Sequence, residues 1–119
     1  MEQKRRVVIT GMGVITPIGN SIGEFRDSIF EGRCGISPLV GDGSRDFDGI
    51  NVRVAGQVLD FDPLSFGLSP QEVRRNDRYA QFAMAAAARA VEMSGLKVGE
   101  NIEPEMLGVY IGSGVGGLE

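Results

Sequence analysis

The residues able to do covalent chemistry are few. Cys34 is the single cysteine, and the 119 residues contain no histidine. That excludes a histidine-based triad, an imidazole general base and a histidine-ligated metal within the chain. It also excludes an internal disulfide and a Cys-x-x-Cys site. Cys34 lies between Arg33 and Gly35 at a predicted helix end. A neighbouring arginine favours the thiolate, but a helix C-terminus opposes it, and no base stands ready to take its proton. Cys34 is therefore read as a bystander, and no catalytic residue is assigned.

Glycine is the more telling residue type. There are 18 of them, about twice the usual ~7% share. Gly112-x-Gly114-x-x-Gly117 follows an apolar run and has the literal form of a dinucleotide fingerprint. That fingerprint also needs the opening of a helix and an acidic residue about 20 positions on. The earlier Thr10-Gly11-Met12-Gly13 fits less well, because Thr16 replaces the third glycine and Pro17 follows. Asp42, Asp46 and Asp48 suggest calcium, but with Asp46 opening an EF-hand loop the closing position falls on Gln57 rather than a bidentate Glu. A solvated loop is the better reading, and no metal site is assigned. Arg74, Arg75 and Arg78 form a small basic cluster on an acidic chain. It reads either as a solvated helix face or as a docking patch for an acidic partner.

These residues need elements to hold them. Residues 6–10 are a continuous apolar run closed by glycine, the form of a strand buried on both faces in a parallel sheet. Ser21-Ile22-Gly23-Glu24 has the form of a capping box; Phe25, Ile29 and Phe30 give the following helix an apolar stripe, and Gly32 or Gly35 stops it. Residues 38–50 read as an acidic surface loop. Val52, Val54 and Val58 alternate with Arg53, Ala55 and Gln57, which predicts a strand with one wetter face. Ser69-Pro70-Gln71-Glu72 starts a second helix, and Asp77 can cap a third. From residue 79 to 93 that third helix is apolar on most of its circumference, with Arg78, Gln81, Arg89 and Glu92 on one polar strip. Such a helix belongs inside a large protein. A last strand, residues 107–111, runs into the glycine turn, and the sequence reads as cut off there.

Composition agrees with a globular α/β chain. Apolar residues make up 42%, and 12 Lys+Arg stand against 16 Asp+Glu, a net charge of −4. The acidic balance argues against a general nucleic-acid binder. No apolar run approaches the roughly 20 residues that span a bilayer, and no signal-peptide core follows Met1, so a cytoplasmic location is expected.

Several blocks together resemble the N-terminal portion of the β-ketoacyl-[acyl-carrier-protein] synthases, the condensing enzymes of fatty-acid and polyketide synthesis. They are Arg5-Arg6-Val7-Val8-Ile9-Thr10-Gly11-Met12-Gly13-Val14-Ile15-Thr16-Pro17-Ile18-Gly19, then Gly32-Arg33-Cys34-Gly35-Ile36 and Ala55-Gly56. Asp77-Arg78-Tyr79-Ala80-Gln81-Phe82-Ala83 and Ile111-Gly112-Ser113-Gly114-Val115-Gly116-Gly117 complete the set. The elongating branch is the nearer one.

The resemblance implies a thiolase-like fold of layered α/β/α/β/α architecture with two similar halves. Residues 1–119 would be the opening part of the first half, truncated before the catalytic cysteine. That cysteine and its two assisting histidines would lie beyond residue 119, and Cys34 does not match the nucleophile's motif. Two positions carry over. Val115, inside the glycine turn, would line the acyl-chain pocket. Arg74 and Arg75 would dock the acyl carrier protein, which brings the phosphopantetheine arm; no other cofactor is implied. Acyl and malonyl thioesters would be the substrates and a homodimer the assembly. Three alternatives remain open: a non-catalytic chain-length-factor partner lacking the cysteine, a nucleotide-binding oxidoreductase, and a complete small binding module.

Overall fold

The computed structural model of the chain describes residues 5–41, 47, 49 and 51–117. The chain divides into two compact units, Val14–Asp62 and a second built from Met1–Gly13 with Pro63–Glu119. The aspartates Asp42, Asp46 and Asp48 lie outside the described residues, and so does most of the expected acidic loop.

In Val14–Asp62 the local signals are realised closely. A tight turn is closed by the amide of Thr16 donating to Gly19 carbonyl at 3.0 Å and the reverse bond at 3.2 Å. Helix α1, Ile22–Phe30, follows. Ser21 caps it by accepting from the Glu24 amide at 3.2 Å, and the Glu24 carboxylate reaches back to accept from the Asn20 amide at 2.9 Å. The first bond occupies a donor that a helix start leaves without a partner; the second falls on the residue before the cap rather than on the Ser21 amide that a complete capping box would take. The helix ends where Gly32 takes a φ of 68°. Ser28 is buried and donates to the Ile18 carbonyl at 2.6 Å, which fastens α1 to the turn. Gly35 must be glycine for packing reasons, since a Cβ there would stand 2.9 Å from both Pro17 and Ile18.

Two expectations for this unit need correction. The stripe on α1 is only partly covered: Phe25 is half-buried, but Ile29 and Phe30 are exposed. The strand predicted from residue 52 to 58 is shorter and faces the other way. Strand β1, Ser37–Pro38, pairs antiparallel with β2, Val54–Ala55, placing Ser37 opposite Ala55 and Pro38 opposite Val54. Leu39 extends the pairing by donating to Arg53 carbonyl at 3.0 Å. Beyond it, the Gln57 side chain replaces the ladder, accepting from Val40 amide at 2.8 Å and donating to Val40 carbonyl at 2.9 Å. Ala55 and Gln57 therefore sit on the covered face, and Val52 and Val54 face outward. Register sets the covered face, because a period of two offers both choices.

The second unit is organised around helix α3, Arg78–Ser94. A 3-10 turn at Pro63–Phe66 packs against it, and Gly67 leaves that turn with a φ of 87°. Helix α2, Pro70–Arg75, then starts at a complete capping box with proline in its first turn. The Glu72 carboxylate accepts from the amide and the hydroxyl of Ser69, both at 2.7 Å, and the Glu72 amide donates back at 3.2 Å. The Ser69 amide, then its hydroxyl, holds the Glu72 carboxyl below the usual carboxylate range. A depressed folded pKa contributes stability above the unfolded value and loses it as pH falls through the folded one. Ser69→Ala is expected to weaken the cap by about 1 kcal/mol, read as faster amide exchange over residues 71–76. In the unaltered protein, the same amides are expected to lose protection as Glu72 is protonated in acid.

Gln81 corrects the polar strip expected on α3. It is buried, donating to the carbonyls of Val73 at 3.0 Å and Asn76 at 2.7 Å. These acceptors lie at the exposed C-terminal end of α2, whose last carbonyls have no partner within the helix. Gln81 supplies it, and so joins the two helices. Ala85, one turn on, is fully buried beside it. Arg78 and Arg89 flank this covered face, each with its guanidinium 5.2 Å from a ring centre, Phe82 and Phe66 respectively.

The opposite approach to α3 is made by backbone. A Cβ built on Gly13 would fall on the Ala86 carbonyl oxygen, and one on Gly11 would fall on that of Ala90 and lie 2.8 Å from the Ser94 amide. Met12 between them donates its amide to the Met93 sulfur at 3.4 Å. The α3 positions beneath are alanine, so main chain meets main chain. Residues 6–10 and 107–111, both predicted as strands, belong to no regular element and form no ladder among the described residues. Val7 is 95% exposed and Tyr110 99%. A buried parallel strand needs neighbours on both edges, and none of the described residues supplies them.

Candidate functional site

The glycine turn and the start of α3 come together. Gly95 ends α3 with a φ of 68°, and the Asn101 side chain closes the next turn by accepting from Lys97 amide and donating to Gly95 carbonyl, both at 2.8 Å. A second 3-10 turn, Pro104–Met106, leads into residues 107–111. The chain then returns to the N-terminal end of α3. Gly116 has a φ of 83°, and a Cβ on it would stand 3.6 Å from the Tyr79 hydroxyl. At Gly117 a Cβ would coincide with the Asp77 carboxylate and lie 2.6 Å from its carboxyl carbon.

Asp77 was expected to cap α3. It occupies the N-cap position with extended backbone, but its side chain makes no capping bond. The third helical residue is Ala80, so nothing at that position can return a reciprocal bond as Glu72 does in α2. The carboxylate lies against Gly117 instead. This seat is what sequence reasoning missed; its only advance signal was the pair of adjacent glycines, 116 and 117.

Val115 immediately precedes the seated pair and is 77% exposed. Its side chain is available to a neighbour rather than packed in this unit's core. A Cβ at Gly112 or Gly114 would meet nothing within 4 Å. Through Gly117 the turn opens no helix. The helix start that a phosphate-cradling fingerprint also needs would fall after Gly117, outside the described residues.

Arg74 and Arg75 occupy the last turn of α2, both exposed. With the Gln71 amide turned oxygen-first, Arg75 donates to it at 2.9 and 3.2 Å. Two cations at the carboxyl end of a helix complement its dipole, and Gln81 fixes that end. Asp77, two residues past Arg75, connects this basic corner to the glycine turn. Cys34 belongs to the other unit, where its exposed thiol donates to Ile36 carbonyl at 3.8 Å. No group of three or more potential metal ligands occurs among the described residues.

This geometry has known counterparts. A solved structure, the ishigamide ketosynthase/chain length factor, superposes with a TM-score of 0.67 at 35% identity, covering 80% of this chain and 23% of that one. The fold is thiolase-like. Residues 4–119 match the family described as Beta-ketoacyl synthase, N-terminal domain, and the chain belongs to that family. Relatives named 3-oxoacyl-[acyl-carrier-protein] synthase 2 from Coxiella burnetii and Synechocystis are each 40% identical, with 98% of this chain covered. The Staphylococcus aureus protein of that name is 38% identical over all of it. The chain spans only about 27% of the length of these relatives.

Proposed function

We propose that this chain is the N-terminal part of a β-ketoacyl-[acyl-carrier-protein] synthase of the elongating type. The match over residues 4–119, with relatives of that name 40% identical, carries the reading. The parent protein would accept an acyl group from a thioester onto a cysteine downstream of residue 119. That step forms one thioester as another breaks and releases the carrier thiol. Malonyl-carrier protein then loses carbon dioxide, and the electron pair left on its α-carbon attacks the enzyme-bound acyl carbon. The cysteine leaves as thiolate, so the balance needs no metal and no nicotinamide.

Within this chain the proposed roles are binding roles. Val115 would close the acyl-chain pocket. Arg74 and Arg75 would receive the acidic carrier protein, which delivers phosphopantetheine-borne substrates. No helix here is long and apolar enough to cross a membrane; we place the parent in the cytoplasm, as a homodimer.

The test is condensation by the full-length gene product, given acyl- and malonyl-carrier protein and read as release of carbon dioxide with a ketoacyl product. A product that condenses nothing, from a gene lacking a downstream cysteine, would favour the chain-length-factor reading that the ketosynthase/chain length factor structure raises. Arg74→Glu combined with Arg75→Glu is expected to weaken carrier-protein binding about tenfold at low salt. The loss should shrink as salt screens both proteins. An affinity unchanged at low salt would remove the docking role from this corner.

A further inference from the structure

We propose that Asp77 and Tyr79 are positioning residues for the acyl-chain pocket, because they seat the turn that carries Val115. The proposal rests on the acyl-pocket reading of Val115 given above. Three observations support the seat. The two glycines that follow Val115 lie beside two side chains from the start of α3: Gly117 sits tightly against Asp77, and Gly116 faces Tyr79 at a distance where a Cβ would make ordinary contact. Gly116 has a φ of 83°, which disfavours any side chain, and a Cβ on Gly117 would coincide with the Asp77 carboxylate, an exposed side chain that would have to turn away. The Asp77 carboxylate is also not spent on capping its own helix.

Placement follows from this. A turn rich in glycine has many conformations of similar energy, so a pocket wall built on it needs an external template. The template here is rigid, because α3 is held to α2 through Gln81 and to residues 11–13 by backbone contact. Where Gly116 and Gly117 rest, Val115 is fixed one residue away. The seat therefore sets how far the branched side chain projects, and with it the depth available to an acyl chain.

The experiment uses the full-length gene product and compares kcat/KM for long and short acyl thioesters. Val115→Phe is measured first and is expected to move the preference toward shorter chains. Gly117→Ala is expected to change the long-to-short ratio about fivefold, and adding Asp77→Ala to it is expected to restore most of that ratio by clearing the space. Asp77→Asn, which keeps the same bulk, is expected not to rescue. Should Gly117→Ala fail to yield soluble protein, Asp77→Ala and Tyr79→Leu are read singly. Each is expected to alter the ratio with KM for malonyl-carrier protein unchanged.

The outcomes separate cleanly. A Gly117→Ala effect that is the same with and without the Asp77 carboxylate overturns the seat. So does an unchanged ratio in both single variants. An unchanged profile in Val115→Phe alone removes the acyl-pocket reading; coupling between residues 77 and 117 that then appeared only in melting temperature would make the seat merely structural.

Discussion

Replacing Gly13 with alanine in the full-length protein is expected to cost about 3 kcal/mol, the upper end for overpacking. The added carbon would land on the Ala86 carbonyl oxygen, with the Ala86 carbonyl carbon at 2.8 Å and its Cα at 3.1 Å. Every one of these atoms is backbone of a 17-residue helix, so no side chain can rotate away. Relief requires residues 11–13 to lift off α3. That would break the Met12 amide contact with Met93 and open the Gly11 contact with Ala90 one turn along. Gly11→Ala should cost a similar amount, and the double substitution less than the sum, because one displacement relieves both. Gly23→Ala is the control: it lies within α1 with only the Ser21 hydroxyl, at 4.0 Å, near its added carbon. Alanine there should be neutral or mildly stabilising. Thermal melts of the four variants decide the matter, and equal melting temperatures for Gly13→Ala and Gly23→Ala would refute the backbone contact.

The same contact shows why parts of the architecture were legible in the sequence. Caps are local: Ser21 with Glu24 and Ser69 with Glu72 need only a spacing of three; the second formed as read, while in the first Ser21 caps but Glu24 reaches past it to the Asn20 amide. The motif blocks named the family because they are ordered, long and specific. What could not be read was nonlocal. Helical periodicity placed Gln81 on the polar strip correctly, but the strip's environment depended on which carbonyls α2 would bring to it. The alternation at residues 52–58 was equally real, yet pairing with Ser37 and Pro38 decided which half of it was covered. At the candidate site, Arg74, Arg75 and Val115 were placed by resemblance. The Asp77 seat was hidden, because a residue of N-cap type was assumed to act as a cap.

The segments that failed to form strands carry the last expectation. Produced alone, a polypeptide of these 119 residues should show helical circular dichroism but melt over a wide range and bind a hydrophobic dye. Its large apolar side chains are mostly exposed: among the described residues only Phe61 in one unit and Leu68 and Ala85 in the other are buried apolar residues. Domains of this size normally bury roughly two thirds of the surface their unfolded chains expose. A core this small cannot offset the conformational entropy of ordering two units. Residues 7–9 and 109–111 add two apolar segments that no strand among the described residues pairs, and such edges invite association with any available strand. If those edges belong beside strands of the remaining polypeptide, supplying that remainder as a separate chain should sharpen the melt and abolish dye binding. A polymer of β-structure forming instead would show the edges pairing with copies of themselves. A sharp, dye-free transition in the isolated chain would mean that residues 5–10 and 107–111 find their partners within it, contrary to the fold described above.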